Sequence, residues 1–417
     1  MGIPYYVASL LRQHKHIQSE CGDSPVDVDV LGIDFNCFIH KYLAAGNPLG
    51  SIVVALNDLL TKTVRAKQVY IAFDGLVPYA KMVQQRYRRM KAPEPADFDK
   101  HQISPGTPFM KELADTVRFM FPNAIVSDTL ERGEGEHKIF TWLRSMTPEQ
   151  RKSICIYGLD ADLVLIAIAQ SHLGNICVIR ETDKGFATLS ISALMKVLPL
   201  DPETYVRMSI LCFGNDFLPN FAMFSLREDG YGRAMFYKGN MQAAAKDEAK
   251  FLLKRAKDTD RAIVSVDGRA VEARMGIHLM DGVLDWEPVV YAFRKTFAWT
   301  LHYFKTSEVL DWCWYYPYPE APLVSTWNEY PSSEFTWEHP EPPYTVQDQL
   351  QFILPEESLK KSGLEVKFPD EIYNEITDTR HVWMRKYVWE SDPYVSLPLK
   401  GLTSVSEIHL PQVVDQL

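Results

Sequence analysis

Between residues 26 and 215, short runs of branched apolar residues alternate with longer amphipathic stretches. The apolar runs Val28–Asp34, Val69–Phe73, Ala124–Val126, Ile154–Tyr157 and Ile176–Arg180 predict strands. The stretches Ser51–Ala66, Pro78–Lys91, Pro108–Phe121, Gly135–Ser145 and Ala161–Ser171 predict helices between them. Such alternation predicts an α/β fold whose mostly parallel sheet carries helices on both faces. Ligands of such sheets gather beyond the carboxyl ends of the strands. Asp34, Asp74, Asp128 and Asp160 each close a predicted strand, so one crevice can collect them. Further along, Met241–Lys257 predicts a charged, alanine-rich helix exposed to solvent. From Trp299 to Tyr344 the composition predicts irregular structure with aromatic anchors, and Thr345–Leu417 carries only short helical and strand signals.

Composition adds bounds. At 417 residues the chain exceeds one typical core, so a large domain with additions, or two domains, is expected. An apolar content of 46% and an aromatic content of 12% are ample for a packed interior. No apolar run reaches the roughly 18 residues of a membrane span, and the MGIPYYVASLL start lacks a basic region with a cleavage site. Gly2 suggests myristoylation, but Tyr6 stands where Ser or Thr is required. Cys21, Cys37, Cys155, Cys177, Cys212 and Cys313 show no zinc-ligand spacing and predict reduced thiols in a cytosolic-type compartment. A net charge of −10 argues against a generic nucleic-acid-binding surface, although a metal cluster would neutralise several of those charges.

The acids carry the chemistry. Asp34 in LGIDFN, Asp74 in AFDG, Glu134 and Glu136 in ERGEGEHK, Asp160 and Asp162 in YGLDADL, and Asp216 in GNDF nearly all follow hydrophobic runs. Carboxylates gathered at one place repel one another and resist ionisation. Divalent metals remove that objection, and two ions about 4 Å apart are what in-line phosphodiester hydrolysis uses. In GEGEHK, Gly135 lets the backbone approach a ligand, and acids at a helix N-terminus are electrostatically favoured. Helix capping accounts for one of Asp160 and Asp162 but not both. Asp128 reads equally well as a turn residue.

Two further constellations stand beside the acids. On a helix, Lys81, Gln85, Arg88 and Arg89 share one face, in a window with five basic residues and no acid. That face suits a terminal phosphate, which guanidinium groups bind through paired hydrogen bonds; a solvated basic face is the alternative. His40 follows Asp34 by six residues, and the WCWYYPY block offers Trp312 and Trp314. Imidazole and indole can sandwich a base, whereas a core histidine and a core aromatic block are the plainer readings.

In this order the segments resemble the Xrn family of 5′→3′ exoribonucleases. The likeness rests on MGIPYY, DFNCFIH, AFDGLVPYAKMVQQRYRR, ISPGTPFM, GEGEHK, YGLDADL, FGNDFLPN and WYYPYPEAPL, from Met1 to about Leu323. The resemblance implies a PIN-like, flap-nuclease-like core over residues 1–240 and a shortened helical, aromatic-rich extension over residues 241–417. It implies hydrolysis of single-stranded RNA bearing a 5′-monophosphate, with two Mg²⁺ ions, or Mn²⁺ in their place. Carried over by position, the metal ligands are Asp34, Asp74, Glu134, Glu136, Asp160, Asp162 and Asp216, and Asp128 has no counterpart. Lys81, Gln85, Arg88 and Arg89 match the 5′-phosphate pocket, and His40 matches the stacking histidine. Its tryptophan partner is Trp314 or Trp312.

Some positions depart from the pattern. Tyr79 and Val83 replace a usual Arg and Asn, so a less polar pocket rim is expected. The segments after the basic helix and after GNDF are short, and the auxiliary domains of long members are not found, which suggests a minimal, virus-like form. A monomer in the cytoplasm, with the nucleus as the other compartment, completes the expectation. A flap-type DNA nuclease and a silent 5′-end-binding protein are the rival classes.

Overall fold

A computed structural model of the chain describes residues 3–367, apart from residues 4, 23, 45, 92–97, 249–250, 252–262, 267–268, 273–285, 317–320 and 332. Seven strands form one sheet: β1 (Gln18–Glu20), β2 (Val26–Asp34), β3 (Val64–Ala72), β4 (Ile125–Ser127), β5 (Ser153–Tyr157), β6 (Asn175–Thr182) and β7 (Gly185–Ser190). Their order is β1-β7-β6-β5-β2-β3-β4. The five strands β6-β5-β2-β3-β4 are parallel, while β7 pairs antiparallel with both β6 and β1. Every predicted strand is present, and β1 and β7 are additions. Both are short and lie on the antiparallel side, where alternating exposure leaves no continuous apolar run to read.

Alternation along the strands sorts the core into two layers. Val30, Ile154, Ile156 and Val178 face one side, with the helices Gly135–Ser145, Asp162–Ala169, Pro202–Phe213 and Trp286–Thr306. Leu31, Ile33, Cys155 and Tyr157 face the other, with Phe35–Tyr42, Pro48–Asp58 and Pro108–Met120. A third cluster packs Leu76, Tyr79, Met82, Val83 and Trp312 against Leu350 and Phe352 of the Val346–Ile353 helix.

Three expectations are corrected. The helix expected over Ser51–Ala66 is Pro48–Asp58 followed by a π turn at Leu59–Thr63. Pairing of Val64, Arg65 and Ala66 with Val26, Asp27 and Val28 takes those residues into the sheet. The irregular stretch expected from Trp299 begins instead inside a helix, Trp286–Thr306, whose Val289, Phe293, Trp299 and Tyr303 are buried. The helix expected over Met241–Lys257 is described over 241–248, and it is solvated on one face only: Gln242, Lys246 and Asp247 are exposed, while Met241, Ala244 and Glu248 are buried. Glu248 accepts the backbone N–H groups of Val324 (2.7 Å) and Ser325 (2.9 Å), which open the helix Val324–Glu329. The expected tail signals resolve into Val346–Ile353 and Glu356–Lys361 up to residue 367; residues 368–417 lie outside the described residues. No helix among the described residues is long and apolar enough to cross a membrane.

Candidate active site

The carboxyl ends of β2, β3 and β5 open onto a cavity of about 350 Å³. Its lining includes Asp34, Asp74, Glu134, Glu136 and Asp160 together with Lys81, Gln85, Arg89 and His40. Asp34 ends β2 where the chain turns into the Phe35–Tyr42 helix, and Asp74 lies two residues past β3. The backbone N–H of Asp74 donates to Asn36 Oδ1 (3.1 Å), and the Gly135 N–H donates to Asp74 Oδ1 (2.8 Å). Gly135 is required there, because a Cβ would stand 2.9 Å from Asp34 Oδ1 and 3.0 Å from the Ala72 carbonyl. Carboxylate oxygens of Asp34, Asp74 and Glu136 consequently lie within 4.8 Å of one another.

A second group of acids surrounds one buried cation. Lys81 Nζ lies 2.7 Å from Glu134 Oε2 and 2.8 Å from Asp216 Oδ2. Tyr303 donates its hydroxyl to the other oxygen of Glu134 (3.0 Å) and stacks on His137 with ring centroids 3.6 Å apart. Asp162 is buried at the first residue of its helix, and its Oδ1 has no hydrogen-bond partner among the described residues.

Burial and mutual repulsion set the electrostatics. The Asp34 carboxyl is pushed up to about 7, first by burial and then by the charge of Asp74. Burial, then Glu134, raises Glu136 well above the usual carboxylate range; burial, then Asp216, does the same to Asp162. Burial also raises Glu134, against the pull of Lys81. Burial disfavours the charge of Lys81, but Asp216 and Glu134 outweigh it and hold the ammonium well above its ordinary range. The buried cations Lys81 and Lys138 are fewer than the carboxylates around them, which leaves a deficit of positive charge. Hard oxygen donors in that state suit divalent cations of the Mg²⁺ or Mn²⁺ type.

The basic helix spans Tyr79–Lys91 and uses its two faces differently. Lys81, Gln85 and Arg89 line the cavity, and Arg89 Nε donates to Ser104 Oγ (3.1 Å). The Arg88 side chain lies outside the described residues. On the opposite face Tyr79, Met82, Val83 and Arg86 are buried, and Arg86 donates to the Phe352 carbonyl. Tyr79 and Val83 are therefore core residues, not a less polar rim. The start of the helix is fixed by the Tyr79 N–H, which donates to the Trp312 carbonyl (2.9 Å). Gln349 reinforces it by accepting the Val77 N–H (2.9 Å) and donating to the Gly75 carbonyl (3.2 Å).

His40 is exposed at the cavity, while neither tryptophan lines it. Trp312 is only 5% exposed, in the cluster under the basic helix, so burial removes it as an open stacking face. Trp314 is half-buried, with its indole N–H on Thr296 Oγ1 (2.9 Å) and the Lys295 ammonium 4.2 Å over its ring. Asp128 sits apart, ion-paired with Arg118 and accepting the Leu130 N–H (2.9 Å) in a turn. Sequence reasoning missed Asn36, the Asp99–Lys100–His101 wall of the cavity, and Tyr303. Asn36 follows Asp34 within the DFN motif and could have been read there. Nothing local marks Tyr303, whose role depends on a helix packing across the sheet.

Residues 1–182 match the family model described as "XRN 5'-3' exonuclease N-terminus". The 5'-3' exoribonuclease 2 of Candida albicans is 28% identical over 49% of this chain and 31% of that protein. The 5'-3' exoribonuclease 1 of Saccharomyces cerevisiae is 26% identical over 55% of this chain and 20% of that protein. Over residues 1–182 the chain is thus similar to the N-terminal part of the Xrn family. It spans about a fifth to a third of the length of these two relatives. Among solved structures, the catalytic core of Rad2 in complex with DNA substrate is similar with a TM-score of 0.43 and 15% identity, over 89% of this chain and 97% of that one. The matched span holds Asp34, Asp74, Lys81, Glu134, Glu136, Asp160 and Asp162. Asp216 and Tyr303, which complete the environment of Lys81 and Glu134, come from beyond it.

Proposed function

We propose that this chain is a divalent-metal-dependent 5′→3′ exoribonuclease that removes mononucleotides from single-stranded RNA bearing a 5′-monophosphate. In this reading residues 1–240 form the nuclease core and residues 241–417 an extension. The observation that carries it is the cavity where the Asp34, Asp74 and Glu136 carboxylates converge beside Lys81, Gln85 and Arg89. The all-oxygen donor set, the scarcity of buried cations and the unpartnered Asp162 Oδ1 fit two Mg²⁺ ions. Asp34, Asp74, Glu134, Glu136, Asp160, Asp162 and Asp216 would hold them. Bound there, the ions supply an activated water and stabilise charge on the leaving 3′ oxygen.

The chain's own groups do the positioning. Arg89 and Gln85 receive the terminal phosphate at one wall, with Arg88 from the same helix. Lys81, between Glu134 and Asp216, joins the phosphate side of the cavity to the carboxylates. His40, exposed at the cavity, offers its ring to the first base, and Trp314 is the less buried of the two candidate partners. The Asp99–His101 segment walls the cavity beside the basic helix, and rejection of a 5′-triphosphate is expected there.

The test is a time course on 3′-labelled RNAs with 5′-monophosphate, triphosphate and hydroxyl ends, with Mg²⁺, with Mn²⁺ and with chelator, alongside a flap DNA. Loss of the monophosphate RNA alone, and only with metal, is expected. Equal decay of all three RNA ends would remove the phosphate pocket. Faster cutting of the flap DNA would make the chain a structure-specific nuclease.

A further inference from the structure

Away from the carboxylate cavity, the described residues bring together a second set of donors of a different chemical kind. Asp311, Cys313 and His339 each offer one ligand atom, and these three atoms lie within 4.8 Å of one another. The set is built by backbone hydrogen bonding. After the Trp286–Thr306 helix, the carboxylate of Asp311 accepts the N–H of Cys313 on Oδ1 (3.0 Å) and of Glu338 on Oδ2 (3.0 Å). The Trp312 N–H donates to the His339 carbonyl (2.8 Å), and the Trp299 indole donates to the Asp311 carbonyl (2.9 Å). Two segments are thereby held side by side, with His339 Nδ1 3.4 Å from Asp311 Oδ1.

The Cys313 ligand atom stands in the same set as the Asp311–His339 pair. We propose that Asp311, Cys313 and His339 form a transition-metal site of the Zn²⁺ class, separate from the carboxylate centre. Thiolate and imidazole donors select Zn²⁺ or its neighbours over Mg²⁺. Three protein ligands leave a fourth tetrahedral position. Asp311 is buried and the His339 side chain is 43% exposed, so the ion reaches the site from the histidine side. The two N–H groups on Asp311 orient it as outer-sphere donors orient a ligating carboxylate. The neighbouring cation, Lys295, feels the charge of Asp311, yet its ammonium lies over the rings of Trp314 (4.2 Å) and Trp337 (5.2 Å). When the metal–sulfur bond forms, the Cys313 thiol gives its proton to solvent, so affinity rises with pH.

The site has a structural consequence. The Trp312 carbonyl, between two of the ligands, accepts the Tyr79 N–H (2.9 Å) and the Tyr344 hydroxyl (2.7 Å). A metal there would clamp the support beneath the start of the basic helix.

The experiment uses the full chain, stripped with chelator and titrated with Co²⁺ as the optical probe, then with Zn²⁺ as competitor. A thiolate-to-Co²⁺ charge-transfer band is expected in the parent protein and in Cys37→Ser, which removes the thiol near the carboxylate cavity. Cys313→Ser should abolish the band, and His339→Ala should weaken Co²⁺ binding at least about 10-fold, the least that loss of even an outer-sphere partner costs. With the carboxylate centre saturated by Mg²⁺, Zn²⁺ should raise the Tm of the parent protein by more than that of Cys313→Ser. Absence of the band, or a band lost in Cys37→Ser and kept in Cys313→Ser, overturns the proposal. Circular dichroism of each metal-free variant shows that it is folded.

Discussion

Asp34 ends β2 near the centre of the sheet, Asp128 directly follows β4 at its edge, and they meet opposite surroundings. Around Asp34 stand other buried carboxylates, and burial followed by the charge of Asp74 pushes its carboxyl up to about 7. Asp128 is partly buried as well, but the Arg118 ion pair and the Leu130 N–H hold its carboxyl below the usual range. A place at the carboxyl end of a parallel strand is common to both. What separates a site from a turn is whether the protein supplies the compensating charge. At the edge it does, with an arginine from the Pro108–Met120 helix. At the centre it places Lys81 between Glu134 and Asp216, and the buried acids outnumber the cations beside them.

Removing an acid from each region is the hardest test of that contrast. Asp34→Asn should lower turnover of a 5′-monophosphate RNA by at least about 10³-fold, the scale of losing a major electrostatic stabiliser, with RNA binding retained in a gel-shift assay. Asp34→Asn with near-parental turnover would sink the metal-centre reading.

Tyr303→Phe is the next effect in size. It removes one hydrogen bond from Glu134 while leaving the ring stack on His137. Loss of such a supporting contact should weaken metal affinity or activity by about 10- to 100-fold, read as a shifted Mg²⁺ half-saturation that excess Mg²⁺ restores. An unchanged Mg²⁺ titration would show that Tyr303 only packs.

The pH dependence of stability sharpens the contrast without any substitution. Asp34 has a folded-state pKa above its unfolded one, so its contribution is present at low pH and is lost as pH rises through about 7. Burial raises Glu136 and Asp162 as well, which act in the same direction. The Tm of chelator-treated protein should therefore fall as pH is raised from about 5 to 8, and Mg²⁺ should recover it. Asp128 has the opposite sign, its contribution being lost only as pH falls below its ordinary range. A Tm that is flat over this window would mean that the central carboxylates are compensated after all.

The smallest effect belongs to the edge. Asp128→Asn should cost about 1 kcal/mol or less in urea unfolding, as for a partly exposed pair, with exonuclease activity unchanged. A large loss of activity would return Asp128 to the site.

Much of the parallel sheet was legible because buried strands are continuous apolar runs, and the Gly135–Ser145 helix kept its predicted bounds. The antiparallel strand β7 alternates buried and half-exposed positions, and β1 is largely exposed, so neither stood out. The helix ending at Thr306 was misread because aromatic residues crowd it, although Glu287, Arg294, His302 and Lys305 mark one solvent-facing stripe. Lys81 was read from helical spacing as part of a phosphate-binding face. Spacing places it on the cavity side, but only the approach of Asp216, 135 residues later in the chain, puts its ammonium between two carboxylates.

By itself the sequence determined the residue types and their local settings: acids at strand ends, a glycine where backbone and carboxylate meet, and cations at helical intervals. These follow from interactions within a few residues, where chain geometry alone sets which side chains share a face. The tertiary structure alone decided which acids are compensated, that Tyr303 holds Glu134, that Trp312 supports the basic helix from below, and that Asp311, Cys313 and His339 meet. Those outcomes depend on contacts between distant segments and on how far each group is taken from water, and neither distance nor desolvation is written in local spacing.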